Sequence, residues 1–302
     1  MAATLNCPVA TTDTDRRIGL LAGYGRFPEL FADAARRAGF EVVCVAIRDS
    51  ASPALAQRVD SFTWRGIAKL GGMIRDFRRA AVRRVVMAGK VQKTQIYAPW
   101  RFLRFLPDWR FMRAWLSFGR SDRKDDSMLL AAINEFNRDG IEIVSALDFC
   151  PELLVKPGYL TRRRPSDSER RDIEFGWNLA KEMGRLDVGQ SVAVKDLATI
   201  AVEAIEGTDR AILRAGELCR SGGFTVVKVA KPQQDMRFDV PTIGPDTIHS
   251  LHRAGARVLA VEADKTILLD EQETIRLADN YGIAIVAVRA EDMAQSQTRR
   301  AG

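Results

Sequence analysis

The sequence predicts an α/β protein: an N-terminal Rossmann-like domain with a parallel sheet, followed by a second α/β domain with an antiparallel element. Three observations lead there. In the first half, short β-branched apolar runs alternate with amphipathic stretches of roughly 10–15 residues, the pattern of βαβ units. A Pro- and Arg-rich stretch then interrupts the alternation at residues 151–166. A length of 302 residues with 46% hydrophobic content also favours two domains, each able to close its own core.

The elements follow in order. Residues 1–15 lack the basic and apolar regions of a signal peptide and read as a disordered tail. In the first domain, residues 16–150, Ile18–Ala22 is a strand that runs into glycines and then into a helix over Pro28–Ala38. Glu41–Ile47 is a second strand and Ser61–Trp64 a weaker third. Helix Lys69–Ala80, strand Arg83–Gly89, helix Asp125–Asp139 and strand Ile141–Leu147 complete it. Residues 151–166 read as a linker. The C-terminal domain, residues 167–290, opens with a helix over Asp167–Gly184. A hairpin over Ser191–Glu203 follows, turning at Lys195-Asp196-Leu197. Then come helix Asp209–Ser221, strand Phe224–Ala230, helix Asp246–Ala254, strands RVLAVEA and TILL, helix Glu271–Tyr281 and strand IAIVAV. Residues 291–302 are a second tail.

Composition narrows the function. The four cysteines, Cys7, Cys44, Cys150 and Cys219, form no C-x-x-C pair, which speaks against a disulfide framework or zinc knuckle and fits a reducing compartment. No apolar run reaches about 18 residues, so a bilayer-spanning helix is not expected and the location is cytoplasmic. A net charge of +7 favours anionic partners. With no zinc finger, RNA-binding signature or long basic tail, nucleic acid is set aside. The only histidines, His249 and His252, stand three apart on a helix and read as a solvated face. Without them, carboxylates, lysines and arginines, with or without a hard metal, must carry any chemistry.

Six segments could do so. Gly23 and Gly25, in AGYGRFPE, sit between a strand and a helix, where backbone amides can approach a phosphate. The pattern lacks the third glycine of a dinucleotide fingerprint, so it suits a mononucleotide or UDP group. Lys90 and Lys93, in AGKVQKT, leave a strand at the end where α/β ligands bind. Asp125 and Asp126 open a helix; capping uses one and leaves the other for a ribose hydroxyl or a metal. Pro99–Arg120 interleaves Trp100, Trp109 and Trp115 with arginines, as at a membrane interface, an acyl-chain groove or a dimer contact.

The last two segments are the densest. VEAIEGTD places Glu203, Glu206 and Asp209 three apart, with Thr208 or Asp209 available as a helix cap. KVAKPQQDMRFDVPTIGPDTI carries Lys228 and Lys231, then Asp235, Arg237 and Asp239. If extended, that segment would point the last three to one side, a set able to bind a metal and a diphosphate together.

Those same two segments, with GLLAGYGRFP, AGKV and DDSMLL in the same order, resemble the UDP-2,3-diacylglucosamine pyrophosphatase family of the LpxI type. The resemblance covers nearly all of Ile18–Val288. It implies two domains, often dimeric. It also implies magnesium-dependent hydrolysis of UDP-2,3-diacylglucosamine to UMP and 2,3-diacylglucosamine 1-phosphate, in lipid A biosynthesis. An essential aspartate of the C-terminal loop would be Asp235 or Asp239. The departures are Lys195-Asp196-Leu197 in place of a glycine-containing turn, Gln233 in place of glycine, and a heavier aromatic stretch around Trp109.

On this reading Asp235, Asp239, Arg237, Lys228 and Lys231 are catalytic. Gly23, Gly25, Lys90, Asp125, Asp126, Thr208 and Asp209 bind substrate, and Asp235, Asp239, Glu203 and Glu206 hold Mg2+. The protein is expected to be a homodimer, peripheral to the cytoplasmic surface of the inner membrane. Two alternatives are a non-catalytic sugar-nucleotide or lipid-binding module and a nicotinamide-dependent oxidoreductase, the latter disfavoured by the incomplete glycine pattern.

Overall fold

The computed structural model describes residues 16–90, 106–118 and 125–293; at 117–118 and 125–128 only the backbone is described. The expected tail 1–15, the tail beyond Met293, Lys93, Trp100, Arg101 and Arg104 lie outside the described residues. The chain divides into two compact units, Met1–Pro151 and Glu152–Gly302.

The first unit is built on β1 (Arg17–Ala22), α1 (Phe27–Arg37), β2 (Glu41–Ile47), β3 (Ser61–Arg65), α2 (Leu70–Arg79), β4 (Arg84–Ala88), α3 (Trp109–Phe118), α4 (Asp125–Arg138) and β5 (Glu142–Val144). All five strands are parallel, in the order β3-β2-β1-β4-β5, the arrangement of a Rossmann-like sheet. Its inner strands are apolar on both faces, as parallel strands covered by helices must be. β5 is shorter than expected. The Ser145 side chain accepts from the Leu147 amide and turns the chain into a 3-10 turn, Ala146–Asp148.

The second unit comprises β6 (Gly158–Tyr159), α5 (Asp167–Arg185), β7 (Ser191–Lys195), β8 (Ala198–Val202), α6 (Thr208–Leu218), β9 (Thr225–Lys228), β10 (Thr242–Ile243), α7 (Pro245–Ala254), β11 (Val258–Glu262), β12 (Ile267–Leu268), α8 (Glu271–Tyr281) and β13 (Ala284–Val288). Six strands form a mixed sheet, β6-β13-β11-β9-β7-β8, with β9, β11 and β13 parallel and the outer strands antiparallel. Strand side chains alternate between two apolar layers. Val226, Leu259 and Ile285 face a cluster holding Ile212 and Leu251 from α6 and α7. Val227, Ala260 and Val286 face a cluster holding Ile173 and Trp177 from α5. Each such fully buried large side chain stabilises the fold by about 1.5–3 kcal/mol.

Local chemistry fixes the ends. Ser166 and Glu169 form a reciprocal capping box at the start of α5. The β7–β8 turn places Asp196 and Leu197 at φ 50° and 63°, which is costly for side chains with a Cβ. The buried Asp172 carboxylate offsets that cost by accepting both turn amides, at 3.1 and 2.8 Å.

Residues 151–166, expected as a linker, carry structure of their own. The Val155 amide bonds to the Thr266 carbonyl at 2.9 Å, and β6 adds an antiparallel edge to β13. The buried Thr161 hydroxyl accepts from the Ile285 amide at 2.8 Å. Prolines are tolerated on an edge strand, so composition alone suggested a loop.

Candidate active site

Lys228 joins the two densest segments of the sequence. It ends β9 and is 3% exposed. Its Nζ donates to the Thr208 hydroxyl at 3.2 Å and to the Thr242 carbonyl at 2.9 Å. Thr208 in turn donates to Glu203 Oε1 at 2.9 Å. The expectation that Thr208 or Asp209 caps α6 is not met. The N-cap is Gly207, with no side-chain cap bond, and the Thr208 hydroxyl is committed to Glu203 instead. The result is a buried ammonium–hydroxyl–carboxylate relay.

Glu203 is itself buried, and its Oε2 has no hydrogen-bond partner among the described residues. The same holds for Asp209 Oδ1. A buried carboxyl oxygen without a hydrogen-bond partner is costly, so both atoms are suited to a cation or a ligand donor. Gly189 packs against this point: a Cβ there would lie 2.1 Å from the Glu203 carbonyl oxygen.

The loop after β9 departs from expectation. Residues 235–239 are not extended: the Asp239 amide returns to the Asp235 carbonyl at 3.0 Å, closing a single helical turn. Period-two alternation therefore does not apply. Asp235 and Arg237 face each other as a pair, Arg237 donating through Nε at 2.9 Å and Nη2 at 2.6 Å, with its own amide adding a bond at 3.0 Å. Those side-chain bonds hold the Asp235 carboxyl below its ordinary range, against the opposing effect of partial burial. Lys231 is engaged by Asp187 at 2.6 Å, which ties the loop to the α5–β7 connection.

Glu206 accepts from the Ala204 amide at 3.2 Å and from Arg214 at 2.5 Å. Its carboxyl is lowered: burial pushes it up, and hydrogen bonds from backbone and Arg214 outweigh that. Among the described residues no three His, Cys, Asp or Glu side chains gather as a metal-binding group. The expected quartet of Glu203, Glu206, Asp235 and Asp239 is therefore not a preformed cage, because Asp235 and Glu206 are each paired with a guanidinium. Magnesium demands less: one or two carboxylates, with phosphate oxygens and waters completing the shell. Glu203 and Asp209 each offer one buried oxygen without a partner among the described residues, the kind of ligand that demand calls for.

In the first unit the loops after β1 and β4 meet at the point where strand order reverses. Tyr24 and Lys90 form an antiparallel bridge with two 2.8 Å bonds, and the Gly23 amide donates to the Ala88 carbonyl at 2.8 Å. The amides of Gly23 and Tyr24 are therefore not offered to a phosphate, contrary to the reading of Gly23. The glycine is instead needed for closeness: a Cβ on Gly23 would lie 2.8 Å from the Lys90 carbonyl oxygen, and one on Gly89 2.8 Å from that of Tyr24. Gly25, at φ 108°, turns the chain toward α1, and Lys90 is exposed beside it. Asp125 and Asp126 begin α4 as expected; their side chains lie outside the described residues.

Sequence reasoning passed over Asp172, Lys181, Asp187 and Glu262. For Glu262 the signal was a single acid inside the apolar run RVLAVEA. His252 stacks on Tyr281 with ring centroids 3.8 Å apart, and His249 Nδ1 lies 3.4 Å from its hydroxyl.

Comparison with known proteins adds a second line of evidence. The LpxI N-terminal domain model matches residues 17–153 and the LpxI C-terminal domain model residues 156–286. The UDP-2,3-diacylglucosamine pyrophosphatase LpxI of Caulobacter vibrioides is 31% identical over 287 residues, 92% of this chain and 99% of that protein. The bifunctional purine biosynthesis protein PurH of Bacillus thuringiensis and that of Bacillus anthracis are each 27% identical over 131 residues. Those matches cover 42% of this chain and 22% of theirs.

Proposed function

Because the chain belongs to the LpxI family, we propose that it hydrolyses the pyrophosphate of UDP-2,3-diacylglucosamine. The products would be 2,3-diacylglucosamine 1-phosphate and UMP, with Mg2+ required, in lipid A biosynthesis. The observation that best supports this is the Lys228–Thr208–Glu203 relay at the root of the Asp235–Arg237 loop. It joins one ammonium donor to a partly unsatisfied carboxylate through a single hydroxyl.

Each group has a physical role in this reading. Arg237 and Lys228 offset charge developing on phosphoryl oxygens, the dominant requirement of phosphoryl transfer. Asp235, kept ionised and weakly basic by Arg237, orients water rather than holding its proton. Thr208 fixes the Glu203 carboxylate so that Oε2 remains directed by the relay. Glu203 and Asp209 would hold magnesium, which when bound supplies a Lewis acid to the diphosphate.

The same reading places the protein at the cytoplasmic face of the inner membrane, as a homodimer. Exposed Leu106, Trp109 and Leu116 and the positive net charge support the membrane part; the family resemblance supports the dimer. The deciding experiment is incubation with UDP-2,3-diacylglucosamine and Mg2+ in oxygen-18 water. Release of labelled UMP or labelled sugar phosphate bears the reading out, and binding without release sinks it. Flotation with anionic vesicles and sedimentation of the free protein test location and dimer.

A further inference from the structure

One residue of the second domain is gripped at both its backbone amide and its backbone carbonyl by a pair of opposite charge. Glu262 ends β11 and is 1% exposed. Its Oε2 accepts from the Ala230 amide at 2.8 Å and from Lys181 Nζ at 2.6 Å. Lys181, reaching from α5, also donates to the Ala230 carbonyl at 2.9 Å. Both backbone groups of Ala230 are therefore held by side chains. Lys265 Nζ stands 3.1 Å from the other Glu262 oxygen.

The position of Ala230 gives this clasp its meaning. β9 and β11 pair in register up to Lys228 and Val261, and Ala230 is among the first residues past the ladder. It starts the loop that carries Lys231, Asp235, Arg237 and Asp239. A carboxylate taken from water at such burial loses more solvation than a packed apolar side chain would, so stability alone is a poor reason for it. What a charged, bidentate hold supplies is direction. It fixes where the chain leaves the sheet, while Lys181 lies over the Trp177 ring at 5.5 Å and is itself steadied.

We propose that Lys181 and Glu262 are a positioning pair for the reaction, setting the course of the loop so that Asp235 and Arg237 meet the diphosphate. The proposal rests on the chain being a UDP-2,3-diacylglucosamine hydrolase. Neither side chain touches substrate; both act through the backbone of Ala230.

The test uses the full chain with Lys181→Met, Glu262→Gln and the double variant. Wild-type turnover is measured first and tests the hydrolase reading by itself. Amide hydrogen exchange over residues 230–240 is then compared among the four proteins, a readout that needs no activity. Each single variant is expected to speed exchange in that loop and to lower kcat by roughly 10- to 100-fold, the scale of a ~1 Å misplacement, with KM within about threefold. The double variant is expected to be no worse than the poorer single, since the two act as one unit. Unchanged loop exchange, or a loss of kcat matched by an equal loss of folded protein, overturns the proposal. Should Glu262→Gln fail to fold, Lys181→Met, altered at the more exposed end of the pair, decides it by the same measurements.

Discussion

The Thr208 hydroxyl lies between the Glu203 carboxylate and the Lys228 ammonium, 2.9 Å from one and 3.2 Å from the other. Through a single atom a hydroxyl donates to the first and accepts from the second, which no apolar group of the same shape can do. Thr208→Val keeps the shape and removes both bonds. It is expected to cost about 1–3 kcal/mol in urea unfolding, the scale of leaving buried polar groups unmade, and to lower kcat. Thr208→Ser should restore most of both; a Val variant with wild-type stability and turnover would remove the relay from the mechanism.

The loop aspartates separate by single substitution. Asp235→Ala or Asp239→Ala should reduce kcat by roughly 100-fold or more if either carboxylate serves the transition state. Steady-state turnover decides, and wild-type rates in both variants would refute the assignment.

Arg237 should also appear in the pH profile. Its hydrogen bonds hold the Asp235 carboxyl below the ordinary range. A depressed carboxyl stabilises the fold above its unfolded pKa, and that contribution is lost as pH falls through the lowered folded value. Activity that needs ionised Asp235 takes the same course. Arg237→Met removes the first cause of the lowering, so the acid limb of kcat/KM is expected to move to higher pH.

The β7–β8 hairpin offers a test independent of chemistry. Asp172→Ala deprives the Asp196 and Leu197 amides of their acceptor and should destabilise by about 1–3 kcal/mol. Leu197→Gly in the wild-type background removes the left-handed penalty of about 1–2 kcal/mol and should raise the unfolding midpoint.

Gly189→Ala is expected to displace the Glu203 backbone, since the new Cβ would lie 2.1 Å from its carbonyl oxygen. Stability and magnesium binding should fall together, the latter read by titration calorimetry. Cys44, whose thiol burial pushes up to about 12, should resist thiol reagents in the native protein and react on unfolding.

Much of the fold was legible in the sequence because its periods are clear. Glu41–Ile47 and Glu271–Tyr281 have the bounds that their apolar patterns give, and Gly282 closes the second in the left-handed conformation helices favour at their ends. The site was less legible. Residues 235–239 were read with strand periodicity, yet a local i to i+4 bond folds them into a turn. Nothing in the types of Asp235 and Arg237 distinguishes a pair bound to each other from a pair facing a ligand. Glu262 is a lone acid in the apolar run RVLAVEA, and its partners at 181 and 230 are remote in sequence and adjacent only in the folded domain. Asp172, likewise, is one of many charged residues in α5, and its partners at 196 and 197 lie in a different turn.

The Tyr24–Lys90 bridge carries an implication for how change can be tolerated in the first domain. Two loops from strands distant in the chain share one backbone seam, so neither has a bearing of its own. A side chain leaving either loop inherits its aim from the other. A lesion at Gly89 should misdirect the turn beyond Gly23 as surely as a lesion at Gly23 itself. Engineering of that ledge must treat the two turns as a single part.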